Sequence, residues 1–129
     1  MKTKGFHHIA LICSDYEKSK HFYVDILGFS IIQETFRSDR QSYKLDLKVS
    51  NDDVIELFSF PNPPHRVNKP EACGLRHLAF AVDDIEETVI YLNSKGIIVE
   101  EIKVDEITGQ HFTFFKDPDD LPLEIYESK

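Results

Sequence analysis

Short runs of alternating apolar and polar residues, separated by turn-forming residues, dominate the chain and are typical of β-strands. The first run, FHHIALIC at 6–13, is followed by Ser14 and Asp15, which are favoured helix N-caps, and then by apolar residues at helical spacing as far as Gly28. Later runs predict strands at 29–36, 42–49 and 53–60. The first half is therefore predicted to fold as strand, helix, strand, strand, strand.

The same order returns after a proline-rich segment. Residues 61–74, PNPPHRVNKPEACG, contain four of the six prolines and show no periodicity, so they are predicted to be a linker or an ordered crossover loop. A strand at 75–82 then precedes a helix that begins at Asp83 or Asp84 and ends at Gly96. The remaining strands are predicted at 97–104, 110–116 and 121–127.

The two halves align as an internal duplication. His8 falls on His77 at an offset of 69 residues, and Glu56 falls on Glu124 at an offset of 68 residues. A deletion of a single residue in the second helix accounts for the difference. Arg76, not a histidine, matches His7, so His8 is the histidine that the repeat singles out.

We therefore predict an α+β fold of two tandem βαβββ modules. The first module covers about 5–60, the loop 61–74 follows, and the second module covers about 75–127. Together they are predicted to form one domain spanning 1–129.

Each half offers one histidine on its first strand and one glutamate on its last, a pairing that suits a divalent first-row metal. If a pseudo-twofold axis relates the halves, His8, Glu56, His77 and Glu124 form one ligand set that leaves coordination positions open, as a catalytic site requires. A glutamate within an apolar strand is also costly to bury without a partner, and a cation supplies one.

Strand alternation predicts which side chains share a face with these ligands. Ile12 shares the face of His8, and Tyr126 shares the face of Glu124. The predicted substrate pocket consists of Ile12, Phe58, Phe60, Thr113 and Tyr126. A loose basic group, Arg66, Lys69 and Arg76, would either attract an anionic substrate or be ordinary solvated loop charge.

Composition narrows the partners. The net charge of −8 argues against nucleic acid and anionic membranes as partners, and a small-molecule substrate is expected. No apolar run approaches the ~20 residues needed to span a bilayer, and no secretory signal is expected. Cys13 and Cys73 lack CxxC spacing, which fits a reducing cytoplasm and indicates neither a disulfide framework nor a zinc ribbon.

Five stretches together resemble the glyoxalase I / vicinal oxygen chelate (glyoxalase–bleomycin resistance–dioxygenase) superfamily over residues 6–127: FHHIALICSD, FYVDILGF, VIEL, GLRHLAFAVDD and FKDPDDLPLEIYE. The resemblance implies an open curved β-barrel around a divalent metal such as nickel, zinc, cobalt, manganese or iron. It implies the ligands His8, Glu56, His77 and Glu124, and a homodimer. The site would lie within one chain or be shared across the dimer.

The four-ligand set resembles glyoxalase I most closely, which implies a lyase or isomerase acting on methylglyoxal or its thiol hemithioacetal. By resemblance, the metal polarises the substrate oxygens and stabilises an enediolate, with Glu56 and Glu124 as the catalytic carboxylates and Glu124 as the base. Bacterial glyoxalase I has an arginine and an asparagine where this chain has Ile12 and Phe60. In bacterial glyoxalase I that arginine and asparagine help to hold glutathione. Because Ile12 and Phe60 cannot replace them, another thiol or a thiol-free substrate is expected here.

Other activities of the superfamily stay open. Its epimerases usually carry glutamine at the position of Glu56, and its extradiol dioxygenases and fosfomycin thiol transferases use two histidines and one glutamate, so Glu56 would be surplus. Small-molecule binding proteins of the bleomycin-resistance type generally lack the ligands. An intact set of four therefore favours a glyoxalase I-like enzyme.

Overall fold

Alternating apolar residues build eight strands into two four-stranded sheets, one in each of two units of the chain. A computed structural model describes residues 1–128, and the units are Met1–Pro64 and the segment from His65 onward. Each unit has its own helix, so the predicted α+β class is confirmed.

The first unit contains β1 (Ile9–Cys13), α1 (Tyr16–Lys20) that continues as a π-helix (His21–Ile26), β2 (Ser30–Arg37), β3 (Ser42–Ser50) and β4 (Asp53–Ser59). The sheet order is β1-β4-β3-β2. β1 runs parallel to β4, and the other neighbours are antiparallel. This is the predicted βαβββ order.

The second unit contains β5 (Leu78–Val82), α2 (Ile85–Ser94), β6 (Lys103–Val104), β7 (His111–Lys116) and β8 (Pro122–Glu127). The sheet order is β5-β8-β7-β6, with β5 parallel to β8, so the topology repeats that of the first unit. In the part of the chain that the structure describes, no helix is both long and apolar enough to cross a bilayer.

One face of each sheet carries the core of its unit. In the first unit Leu11, Leu57 and Leu45 form a row of register partners across three strands, and all three are buried. In the second unit Leu123 and Ile125 occupy the same face of β8 and are buried. Because side chains alternate along a strand, Glu56 and Glu124 each lie on the face of their own sheet that is opposite its core.

Both helices begin as the sequence predicts. The side chain of Asp15 accepts a hydrogen bond from Lys18 N at 3.1 Å, and that of Asp84 accepts one from Glu87 N at 2.9 Å. These bonds satisfy amide groups that the first turn of a helix leaves without partners. The two caps occupy equivalent positions in the repeat.

The π-helix contains the residue by which the first half exceeds the second. Leu27 N donates to Phe22 O at 2.9 Å, the i to i−5 spacing of a π-helix. Phe29 N donates to Tyr23 O, whereas the equivalent Ile97 N donates to Leu92 O, one residue closer in sequence. The extra residue therefore lies between Tyr23 and Phe29, and the helix widens locally to hold it.

The prediction of a strand over 97–104 was wrong for most of its length, because only Lys103–Val104 forms β6. Glu100 N does donate to Phe114 O at 2.9 Å, but the hydroxyl of Thr113 donates to the carbonyls of Glu100 and Glu101 at 2.8 and 3.2 Å. A side chain thus binds carbonyls that a regular ladder would use.

The proline-rich segment is an ordered crossover with no helix or strand over 61–74. Arg66 Nη2 donates to Leu75 O at 2.9 Å, and Asn68 Nδ2 donates to Asp120 O at 2.7 Å. Both contacts lie within the second unit. The segment therefore contributes its second part, from His65 onward, to that unit.

Candidate functional site

The predicted ligands of the first unit contact each other. β1 and β4 are parallel neighbours in which Ala10 is the register partner of Glu56, and His8 precedes Ala10 by two residues on the same face. His8 Nδ1 lies 3.2 Å from Glu56 Oε2. The Glu56 side chain is only 13% exposed, so it depends on its neighbours for compensation of its charge.

The second unit repeats this arrangement. Ala79 is the register partner of Glu124, and His77 Nε2 lies 3.0 Å from Glu124 Oε2. The imidazole of His77 meets the ring of Phe114 edge-on, with 5.2 Å between centroids. Both histidines immediately precede their strands, which begin at Ile9 and Leu78, later than predicted.

Each unit therefore brings together one imidazole nitrogen and one carboxylate oxygen, a donor set that fits a divalent metal of borderline softness. Within neither unit, over residues 1–128, do three or more histidine, cysteine, aspartate or glutamate side chains come together. That all four residues hold a single ion stays a prediction.

Glu56 has a second charged partner that the sequence did not reveal. Lys44 Nζ lies 3.5 Å from Glu56 Oε1 and 3.1 Å from Asp46 Oδ1. Asp46 is the register partner of Glu56 on β3. The carboxylate of Asp46 is the main cause that raises the pKa of Lys44, and Glu56 adds to it. Both carboxylate oxygens of Glu56 are thus near a nitrogen.

Glu124 has different neighbours. Its register partner on β7 is Phe114, at the position equivalent to Asp46, and Phe112 takes the position equivalent to Lys44. His77 is the one ion-pair partner of Glu124 within residues 1–128. Two equivalent carboxylates therefore lie in unlike surroundings, one beside charges and one beside aromatic rings.

Three predicted pocket residues lie on the face of Glu56. Ile12 and Phe58 are register partners, and Ile12 is 58% exposed. Phe60 stacks on Phe58 with 6.3 Å between centroids. The guanidinium of Arg37 lies 4.8 Å from the Phe58 ring and 5.7 Å from the Phe60 ring, so a cation covers this apolar corner.

Tyr126 lies on the face of Glu124, two residues along the strand, and its ring stacks on Phe112. Its hydroxyl donates to Asp105 Oδ2 at 3.0 Å and also bonds the hydroxyl of Thr108. Tyr126 therefore connects β8 to the turn that precedes β7.

The assignment of Thr113 to the pocket was wrong. Thr113 is the register partner of the buried Ile125 and is itself only 1% exposed, so it lies on the core face of β7. It occupies the position of the core residue Leu45 in the repeat. Phe114 lies beside Glu124 instead, and the same offset of 68 that matches Glu56 with Glu124 would have indicated it.

A cavity of about 470 Å³ adjoins the second pair, entirely within the second unit. His77 and Phe114 are part of its wall, together with residues of the crossover segment and of β6 and β7. The loose basic group of the crossover, Arg66, Lys69 and Arg76, lines this cavity. Lys103 and Lys116 line it too, and sequence reasoning missed them because charges at strand ends usually face solvent.

The chain is similar to known proteins over nearly its whole length. Residues 5–125 match the family model of the Glyoxalase/Bleomycin resistance protein/Dioxygenase superfamily. The chain is 61% identical to the YwkD protein of Bacillus subtilis, covering 98% of this chain and 99% of that protein. The crystal structure of SMU.1112c superposes with a TM-score of 0.94 at 50% identity, over 98% of this chain and 100% of that one.

More distant relatives are named for different reactions. A probable lactoylglutathione lyase of Vibrio cholerae is 30% identical over 95% of this chain and 89% of its own length. A putative ring-cleaving dioxygenase of Bacillus subtilis, MhqE, is 24% identical over 98% of this chain, which spans 42% of that protein.

Proposed function

Because the chain belongs to the glyoxalase/bleomycin resistance protein/dioxygenase superfamily, we propose that it is a metal-dependent enzyme of the glyoxalase I kind. Its substrate is a small α-oxo compound or the hemithioacetal that such a compound forms with a thiol. The observation that supports this most directly is the repeated histidine–glutamate pair, with contacts of 3.2 Å in one unit and 3.0 Å in the other.

The proposed ligands of the divalent metal are His8, Glu56, His77 and Glu124. A bound metal ion would act as a Lewis acid on the substrate oxygens and lower the cost of removing a proton from the neighbouring carbon. Nitrogen and carboxylate ligands are compatible with nickel, zinc, cobalt, manganese or iron.

Glu124 is the proposed base that moves the proton between adjacent carbons. Glu56 is held by His8 and lies near Lys44, so releasing it would leave two cationic or polar partners without their carboxylate. Glu124 has His77 alone as ion-pair partner within residues 1–128 and lies beside Phe114. A carboxylate with fewer partners is freer to turn toward a substrate proton.

Ile12 gives the substrate side of the first unit an apolar character. Its side chain is 58% exposed on the face of Glu56, and it offers no hydrogen bond to a peptide-like thiol. We therefore expect a thiol other than glutathione, or a substrate without a thiol.

We further propose a homodimer in the cytoplasm, as analogy with the superfamily suggests. The spacing of Cys13 and Cys73 is not that of a disulfide framework, which is consistent with a reducing compartment.

The deciding experiment combines metal analysis with an isotope measurement. The purified chain is loaded with each candidate metal, and incorporation of solvent deuterium at the carbon next to the carbonyl is followed by NMR for methylglyoxal with glutathione, with other cellular thiols and with none. Exchange that needs the metal supports the proposal. Metal binding with neither deuterium exchange nor isomerised product from any α-oxo substrate would overturn it in favour of a binding protein.

Ring cleavage is a second candidate, because MhqE is named as a putative ring-cleaving dioxygenase. The iron-loaded chain is therefore also assayed with a catechol under oxygen. Ring opening that survives Glu56→Gln would favour this activity, since two histidines and one carboxylate suffice for iron of that kind.

A further inference from the structure

The cavity beside His77 has a charge opposite to that of the whole chain. Five cationic side chains line it, against two acidic ones: Arg66, Lys69, Arg76, Lys103 and Lys116, with Glu71 and Glu100. The chain as a whole has a net charge of −8. A positive cavity in an acidic protein concentrates anions locally.

The two arginines of the wall are already engaged. Arg66 donates through Nε to Asn68 Oδ1 at 2.7 Å and through Nη2 to Leu75 O, which fixes the shape of the crossover. Arg76 Nε lies 2.6 Å from Glu71 Oε1. One of the two acidic side chains is thus matched within the wall.

The three lysines have no such partners. Within residues 1–128, Lys69, Lys103 and Lys116 make neither an ion pair nor a side-chain hydrogen bond, although all three line one cavity. Glu100 alone remains to balance them. The wall therefore has positive charge available for an outside ligand.

The cavity also has an apolar part and an end at the proposed metal site. Val67, Leu75 and Phe114 supply apolar surface, and His77 contacts both Phe114 and Glu124. A volume of about 470 Å³ is within the range of metabolite sites. A ligand could place one end at His77 and the other among the lysines.

We propose that this cavity binds an anionic group, a carboxylate or a phosphate, at the end of the substrate remote from the reacting carbonyl. The proposal rests on the function proposed above, since it places the reacting end at His77. It deepens that function by assigning the substrate class: an α-oxo compound that carries a further negative charge and an apolar portion.

The test is a titration of the isotope-labelled full-length chain, followed by backbone amide NMR. The probes are phenyl phosphate, phenylacetate and the neutral phenylacetamide, which share a ring and differ in charge. Both anions should shift the amides of Lys103 and Phe114, and the neutral probe should bind at least about fivefold more weakly. Equal binding of phenylacetamide, or shifts confined to other amides, would overturn the proposal. The tighter anion identifies the preferred group.

Substitutions locate the charge. Each of Lys69→Gln, Lys103→Gln and Lys116→Gln should weaken anion binding by roughly two- to fivefold, and the triple variant by at least about tenfold. Lys95→Gln, an equal loss of charge in the same unit but outside the cavity, should leave binding unchanged. If the triple variant does not fold, the affinity of the wild-type chain must fall with rising salt; affinity independent of salt refutes the proposal.

The two proposals fail separately. Anion binding at these amides without metal-dependent proton exchange would refute the enzyme and retain the cavity. Exchange on a neutral α-oxo compound, undiminished in the triple lysine variant and with no anion binding, would refute the cavity and retain the enzyme.

Discussion

Glu56 and Glu124 show how two equivalent residues acquire different surroundings, which is why different roles are proposed for them. Their backbone positions match, and each contacts a histidine of its own unit. The difference comes from β3 and β7, which place Asp46 beside one carboxylate and Phe114 beside the other. These surroundings are the basis for proposing Glu56 as a fixed ligand and Glu124 as the group that moves.

This assignment predicts unequal effects of the two isosteric substitutions. Glu124→Gln should reduce the rate of proton exchange by about 10²–10⁴-fold, because the amide cannot accept the proton. Glu56→Gln should instead act mainly through loss of bound metal. Metal content by mass spectrometry and exchange by NMR, measured on the same samples, separate the two effects.

His21→Ala is the control for metal content, because His21 forms an exposed i, i+4 ion pair with Asp25 on the helix surface. Glu124→Gln that binds metal normally and exchanges protons at the wild-type rate would contradict the assignment.

At this scale the sequence was informative where the repeat constrained it. The offset alone selected His8 over His7 and paired Glu56 with Glu124, and each histidine does contact its predicted glutamate. Lys44 could not be placed beside Glu56 in this way, because that contact depends on how β3 pairs with β4. Applying the repeat to β3 and β7 would have put Thr113 in the core with Leu45.

Between elements, Glu34 connects β2 to the first helix. Its carboxylate accepts hydrogen bonds from the hydroxyl of Tyr16 and from Lys20 Nζ, the latter at 2.7 Å. The hydrogen bond from Lys20 is the main cause that lowers the pKa of Glu34, and the hydrogen bond from Tyr16 adds to it. Burial is the main cause that raises the pKa of Tyr16, and Glu34 adds to it. The ionised carboxylate is thus the form that joins helix to sheet.

The lowered pKa predicts a pH-dependent effect of Glu34→Gln. A carboxylate whose pKa is lower in the folded state stabilises the fold at pH values above its ordinary pKa of 4.5. This stabilisation is lost as the pH falls through the pKa of the folded state. The wild type should exceed the variant in unfolding free energy by up to about 1 kcal/mol at pH 6, and the gap should be smaller at pH 3. Urea unfolding at both pH values measures it.

Glu106→Gln in an exposed turn serves as the control and should show no change of this gap with pH. A Glu34→Gln variant whose deficit grows on acidification would have the opposite sign and would contradict the role given to the carboxylate.

α2 depends on a residue of the last strand. Ile85 N, at the start of the helix, donates to Glu127 Oε2 at 3.1 Å, and Glu127 is only 7% exposed. Glu127→Ala would leave this buried amide without its acceptor and should cost about 1–3 kcal/mol of unfolding free energy. Glu127→Gln keeps an acceptor oxygen and should cost less.

Thermal and urea unfolding of both variants, with the exposed Glu101→Ala as reference, test this contact between α2 and β8. Equal stability of Glu127→Ala and the reference would show that water or another group replaces the carboxylate.

Elements were predictable where local chemistry decides them. Aspartate caps and terminal glycines gave the helix limits, and Gly28 and Gly96 have positive φ values of 80° and 81°. The π-helix was not predictable, because apolar spacing alone does not distinguish the ~3.6 residues per turn of an α-helix from the wider turn of a π-helix. Over 97–102 the Thr113 hydroxyl binds the carbonyls of Glu100 and Glu101, a side-chain contact that apolar alternation does not predict.

The whole molecule is proposed to be a dimer, and β2 offers a surface for it. β2 is an edge strand of its sheet, and Ile31, Ile32 and Phe36 on it are 46%, 56% and 54% exposed. Exposed apolar residues along an open strand edge favour association with another copy. Light scattering should give twice the mass of one chain.

Ile32→Lys should shift the dimer toward monomer by at least roughly tenfold in dissociation constant, because a charge would be buried without a partner. Ile107→Lys, at a 95% exposed isoleucine of the other unit, should leave the mass unchanged. A variant Ile32→Lys as dimeric as the wild type would move the interface elsewhere.

The π-helix at His21–Ile26 marks the place where the two halves of the repeat differ in length. The two halves differ by one residue between cap and terminal glycine, so a single codon separates their lengths there. An added residue ordinarily shifts everything after it, yet Gly28 and Gly96 keep the same backbone conformation. The wider helical turn accommodates one residue, which was either inserted in the first half or deleted from the second. Either way, the descendants of one ancestral half could diverge in length without shifting the strands that carry their glutamates.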